Sequence, residues 1–292
     1  MFYTERDYND EHPYTDLACE RRRADTSILG VNYKKELGIV GSWERIRISS
    51  DEGAKSIGRP IGSYNTLELE RMDLLEEESI ADAADEIARE LCYMCDLNSV
   101  VPERVLVVGL GNAELTPDSV GPTACAGIKA TMHIKSFDKS LFESLECSEI
   151  AVITPGVCSK SGLDAAEVVK GVCSVMKPDV IFAVDSIAAR STKRLGTTVQ
   201  ISDTGILPGS GIGNCRTPID KDRLGVPVIA IGIPTVIDSR MFWLDAGGAR
   251  CDDAPSAAKD AMFVSPREIS EIVKVGSRII SEGINQAFGL FF

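Results

Sequence analysis

The chain has 292 residues, 44% of them hydrophobic, which is enough to bury a large core in one elaborated domain. Acidic residues outnumber basic ones 44 to 31, giving a formal charge of -13, and the one basic run, Arg21-Arg22-Arg23, directly follows Glu20. That balance excludes a phosphate-tracking nucleic-acid binder, and no apolar stretch approaches the roughly 20 residues a membrane span needs.

Residues 1–16 hold five acidic side chains and one Arg with few aliphatics, so they read as an arm that adds little to a core. Val40 to Ser49 alternates like a strand, Gly53 to Gly62 contains four glycines or prolines and reads as a loop, and Ser63 to Leu69 is extended. From Glu76 to Leu97 the apolar positions Ile80, Ala83, Ala84, Ile87, Leu91 and Met94 recur at helical spacing. Val105 to Val108 is a short β-branched strand ending in the glycine turn Gly109-Leu110-Gly111-Asn112, and a helix is expected from Ser119 to His133. The alternation repeats: strand Ile150 to Ile153, helix Leu163 to Met176, strand Asp179 to Val184, a further strand over Val199 to Asp203, and a buried strand Val226 to Ile231. Leu244 to Ala258 reads as a loop, and Ser265 to Ala287 closes the chain as an amphipathic helix with Pro266 at its start. The expected fold class is α/β: a single three-layer domain whose central sheet, mostly parallel or mixed, is flanked by helices.

Nine cysteines scattered through helices and strands read as reduced thiols, which fits a cytoplasmic protein without a secretory signal. Cys92 and Cys95 form a C-x-x-C pair without a second pair or a nearby His, so no metal site is expected there. The chain has only two histidines, His12 and His133, and no Gly-x-Ser-x-Gly elbow or His-Glu-x-x-His motif. Ser–His and zinc chemistry are therefore poorly supplied, and a Cys–His dyad, with Cys158 its best thiol, lacks a base.

Carboxylates remain. Ligands of open α/β sheets gather at strand ends, where Asp118, Asp185 and Asp203 stand. Two converging carboxylates divide acid and base roles because each disfavours the other's charge. Asp118 also suits the cap of the helix starting at Ser119, the reading that spacing alone favours, and catalysis stays open beside it. The glycine turn lacks the third glycine of a dinucleotide fingerprint and the Gly-Lys-Ser/Thr of a P-loop, and the stretch Asp203 to Asn214 suits tight turns or an oxyanion site.

Six segments then carry a specific resemblance: Gly58-Arg59-Pro60-Ile61-Gly62, Gly109 to Pro122, Thr154-Pro155-Gly156-Val157, Asp185-Ser186-Ile187-Ala188-Ala189-Arg190, Ile201 to Asn214, and Val226 to Asp238. In order, over about Thr15 to Phe292, the chain resembles the germination proteases of spore-forming bacteria, a family similar in fold to hydrogenase maturation endopeptidases. The resemblance implies an endopeptidase that starts the degradation of small acid-soluble spore proteins, is made as a zymogen, trims its own N-terminus, and works as a homotetramer in the spore core without a cofactor. It implies that Asp118 and Asp185 are the catalytic pair. It also implies cleavage after an acidic residue that is followed by a large apolar residue and Ala. Thr15-Asp16-Leu17-Ala18 has that form, which places the bond between Asp16 and Leu17 and divides the chain into a propeptide, 1–16, and a peptidase domain, 17–292. No residue is assigned to substrate binding. The chain departs from many members in being shorter after Asp238 and in carrying Ala113-Glu114 where an aromatic-polar pair is common. Two other readings stand beside this one: a metal-assisted maturation endopeptidase, and an inactive homologue that only binds or oligomerises.

Overall fold

The computed structural model describes residues 15–21, 28–209, 217–247 and 262–289. Its centre is a mixed sheet of nine strands among the described residues: β1 Val31–Leu37, β2 Ser42–Ile48, β3 Gly62–Glu68, β4 Arg104–Gly109, β5 Glu149–Ile153, β6 Val180–Ala189, β7 Thr198–Ser202, β8 Val228–Asp238 and β9 Phe263–Val264. Their spatial order is β1-β2-β3-β7-β8-β6-β4-β5, with the short β9 beside β8. β5, β4, β6 and β8 run parallel, whereas β1, β2, β3 and β7 join antiparallel. The sheet is thus two halves of different construction.

Alternation along the parallel strands assigns the two faces. Val105 and Val107 of β4, and Val180, Phe182 and Val184 of β6, enter the larger core with helices Glu77–Leu97, Val120–Gly127 and Ile269–Phe288. Leu106, Val108, Ile181 and Ala183 face the other side, against helix Ala165–Met176. This is the expected three-layer arrangement, and both faces need apolar side chains because both are covered. Phe182 is fully buried and stacks on Phe288 of the C-terminal helix at 5.0 Å between ring centres, a contact of about 0.5–1.5 kcal/mol beyond its area burial.

Four local expectations change. The glycine-rich stretch after Ser50 begins as a helix, Asp51–Ile57: the Ser50 side chain accepts from the Gly53 N–H, and Gly58 closes it in the left-handed conformation at φ 68°. Its glycines punctuate a helix rather than form a loop. The expected Ser119–His133 helix is two, Val120–Gly127 and Met132–Phe137. The break is fixed from outside, since Asn285 of the C-terminal helix accepts from Lys129 N–H and donates to Gly127 C=O. β6 and β8 run beyond the apolar cores expected of them, to Ala189 and Asp238. Leu244, expected in a loop, lies in helix Ser239–Asp245, while residues 248–258 of that stretch lie outside the described residues.

Candidate active site

Asp118 is placed by the glycine turn after β4. Gly111 has φ 108°, and a Cβ on it would lie 2.1 Å from the Asp118 carbonyl oxygen, so only glycine fits against this loop. Gly121 is equally constrained: a Cβ there would meet the carbonyl oxygens of Leu110 at 2.3 Å and Val184 at 2.5 Å. The two glycines let the helix N-terminus sit directly on β4 and β6; packing, not phosphate binding, accounts for them. The Asn112 N–H donates to both the carbonyl oxygen and Oδ2 of Asp118 at 2.9 Å. Ser119, not Asp118, occupies the cap position of helix Val120–Gly127, and it makes no side-chain cap bond. The capping reading of Asp118 therefore falls away.

Asp185, expected where β6 ends, lies inside the strand, with four residues of β6 after it. The end that matters belongs to the neighbour. β4 stops pairing at Gly109↔Val184, so Asp185 is the first residue of β6 to outrun β4. It is buried, at 5% exposure, and its Oδ1 accepts from the Ser186 N–H at 2.9 Å. Ser186 Oγ in turn accepts from the Val120 N–H at 3.2 Å, tying the Asp185 strand to the helix next to Asp118. On the other side, Thr235 Oγ1 of β8 donates to the Pro117 carbonyl oxygen at 2.6 Å. The two aspartates are thus carried by segments locked together, and both line one cleft of about 690 Å³.

Sheet register supplies the floor of that cleft. Asp185 of β6 and Gln200 of β7 are both partners of Gly232 on β8, which places them in one row about 10 Å apart, two strand spacings. Gln200 was not a sequence candidate; the signal was a polar residue interrupting the β-branched run Val199-Gln200-Ile201, and it was too weak to read. Its amide grips the chain near the N-terminus. Gln200 Oε1 accepts from the Ala18 N–H at 2.8 Å, and Nε2 donates to the Asp16 carbonyl oxygen at 3.0 Å.

Thr15 and Asp16 are consequently not loose. Asp16 N–H donates to the Ala188 carbonyl oxygen, and Ala188 N–H donates to Asp16 Oδ2, each at 2.9 Å. Leu17 is fully buried among Ile187, Ala189, Leu195, Ile237 and Met241, and Ala18 among Ile46, Ile48, Ile57 and Tyr64. Residues 1–14, with His12, lie outside the described residues.

The remaining candidates go elsewhere. Asp203 accepts from Ser63 N–H at 2.7 Å and pairs with Arg47 at 3.3 Å, fastening β7 to β3. His133 packs against Phe137, and neither it nor Cys158 lines the cleft. Burial pushes the Cys95 thiol up to about 12, an inert core group. Among the described residues no three His, Cys, Asp or Glu side chains group as metal ligands. Residues 210–216, which include the last five positions of the second glycine-rich stretch, lie outside the described residues.

A cleft lined by two carboxylates on locked segments, with Asp16 held at its wall by side chain and main chain, fits the class of α/β hydrolases that act on polypeptide. The comparisons with known proteins narrow the class. The family model described as germination protease matches residues 15–246. A germination protease of Caldanaerobacter subterraneus subsp. tengcongensis is 36% identical, covering 94% of this chain and 93% of its own. That of Clostridium perfringens is 31% identical over 94% of each chain, and that of Bacillus subtilis 37% identical over 82% of this chain and 67% of its own. The chain belongs to the germination protease family, and it is an endopeptidase. Among solved structures, a nickel–iron hydrogenase maturation protease HycI from Thermococcus kodakarensis KOD1 is similar over 65% of this chain and 99% of that one, at 18% identity and a TM-score of 0.35. Among the described residues no helix is long and apolar enough to cross a membrane.

Proposed function

We propose that the protein is a zymogen that starts the degradation of small acid-soluble spore proteins, with Asp118 and Asp185 activating the attacking water and the Asp16–Leu17 bond as its first substrate. The observation that carries this reading is that Asp118, Asp185 and Asp16 line the same cleft. Of the two catalytic carboxylates, the ionised one takes a proton from water as it attacks the peptide carbonyl. The protonated one delivers its proton to the leaving amine, so the pair ends the step with its proton exchanged between members. The propeptide is residues 1–16 and the peptidase domain 17–292; the working assembly is a homotetramer in the spore core, on the strength of the family resemblance.

The test is the intact mass of the full chain before and after incubation at mildly acidic pH, beside an Asp118→Asn, Asp185→Asn double variant. Loss of residues 1–16 in the parent alone is expected. Equal processing of both chains would remove the aspartates from the mechanism, and an unprocessed parent would count against the zymogen. Inhibition by a chelator, reversed by one metal, would replace the two-carboxylate reading with a metal-assisted one.

A further inference from the structure

The motif Gly58-Arg59-Pro60-Ile61-Gly62 takes no part in the chemistry above, yet Arg59 lines the same cleft as the two aspartates. Gly58 ends its helix in the left-handed conformation and turns the chain so that the Arg59 side chain reaches the segment at Thr15 and Asp16. Arg59 Nη2 donates to the Thr15 carbonyl oxygen at 2.8 Å and stands 3.4 Å from Asp16 Oδ1. The other carboxylate oxygen, Oδ2, takes the Ala188 N–H. Each oxygen of the acidic side chain thus has its own donor, while Ala188 C=O and Gln200 Nε2 hold the main chain of the same residue. Arg21 adds a second cation: it donates to the Thr15 carbonyl oxygen at 2.8 Å, and burial, together with the like charge of Arg59, lowers its guanidinium to about 10. Two guanidinium groups meeting beside one carboxylate favour an anion at that point.

We propose that Arg59 is the residue that selects an acidic side chain immediately before the scissile bond, and that Asp16 is its intramolecular occupant until processing removes it. The proposal rests on the reading of Asp16–Leu17 as the processed bond. The chain on the far side of that bond is anchored independently. The Glu20 carboxylate accepts from Arg190 N–H at 2.6 Å and Ser191 N–H at 2.8 Å, and Leu17 is fully buried. Cleavage therefore frees the Arg59 and Ala188 donors and Gln200 Nε2 for the acidic residue of a substrate. The subsite also fits a longer acid better than its present occupant. Arg59 Nε is buried without a hydrogen-bond partner, and the contact to Asp16 is long. One more methylene brings a glutamate within reach of both donors of the fork. A peptide with Glu before the bond should therefore be preferred to one with Asp, and both to Gln.

Two measurements decide it. The first is kcat/KM of the processed chain on peptides that differ only in Glu or Gln before Phe-Ala, in the parent and in Arg59→Gln. The parent is expected to favour Glu by about ten-fold or more, and Arg59→Gln to bring the ratio near one, mainly through KM. Retention of the parent's preference overturns the proposal. The second is a double-variant cycle of Arg59→Gln and Asp16→Asn in the full chain carrying Asp185→Asn, read by thermal unfolding. A combined loss smaller than the sum of the single losses supports the contact, and strict additivity overturns it. If the parent cuts neither peptide, the proposed function fails; the cycle, which needs no turnover, then decides whether Arg59 receives an acid.

Discussion

Glu86 and Asp185 are both buried at 5% exposure, one beside the antiparallel half of the sheet and one in the parallel half, and they are used in opposite ways. Glu86, on helix Glu77–Leu97, reaches the turn between β1 and β2, where it accepts from the Trp43 indole at 2.5 Å, from Val40 N–H at 3.0 Å and from Ile39 N–H. Gly38 leaves room for it, since a Cβ there would lie 2.3 Å from the carboxylate. Nearby, Glu90 pairs with Arg45 and Glu44 with Arg194, at 2.6 and 2.7 Å. These carboxylates replace lost water with protein donors and hold a hairpin to a helix. Asp185 interrupts an apolar strand and lines an open cleft instead. Burial alone therefore does not single out a candidate catalytic acid; what surrounds the carboxylate, a ring of structural donors or an open cleft, separates the two.

The sharpest way to break that comparison is Glu86→Ala. Removing the acceptor strands three donors, so unfolding free energy in denaturant should fall by about 3–5 kcal/mol, while kcat/KM well below the melting temperature stays within about three-fold. A loss of activity without a loss of stability would mean that Glu86 belongs with Asp185. Gly121→Ala tests the parallel half from the other direction. The added methyl pushes helix Val120–Gly127 off Leu110 and Val184, costing about 2 kcal/mol, but the displacement of the Asp118 loop should lower kcat by about 100-fold. Equal stability loss with full activity would show that Asp118 needs no such placement.

The smallest effect expected is a pH difference between the halves, read by hydrogen exchange. Glu36 is held below the usual carboxylate range by Lys34 and then Arg45; Glu68, against the upward push of burial, is held there by Lys35 and Arg194. Depressed carboxylates stabilise above the unfolded value and lose that contribution as pH falls through the folded one, so β1 to β3 should open first in acid. Burial raises the Cys125 thiol, on helix Val120–Gly127, to about 12. A raised thiol stabilises below its unfolded value near 9 and loses that contribution as pH rises towards 12, so this helix should loosen in alkali. The reverse order of opening would contradict the division.

The elements easiest to read in the sequence were those whose pattern is imposed locally. Val105 to Val108 and Val180 to Val184 are apolar on both faces because helices cover both, and Glu77–Leu97 shows its buried stripe in its spacing. β1 was missed because an edge strand with alternating exposure, Val31-Asn32-Tyr33-Lys34-Lys35-Glu36-Leu37, carries charges where a central strand carries valines. The helix after Ser50 was hidden by glycines that serve as its turn and cap.

By itself the sequence determined the α/β class, the order of most elements and the two aspartates as candidates, since propensity, periodicity and glycine turns act over a few neighbouring residues. Only the tertiary structure decided that Asp185 stands beyond the end of β4, that Gln200 shares its row through Gly232, and that Asp16 lies between Arg59 and Ala188. Those facts depend on how long one strand is relative to the next and on how segments 43 and 172 residues apart in the chain come together. No local pattern encodes such distances; they are set when both faces of the sheet are packed and the register is fixed.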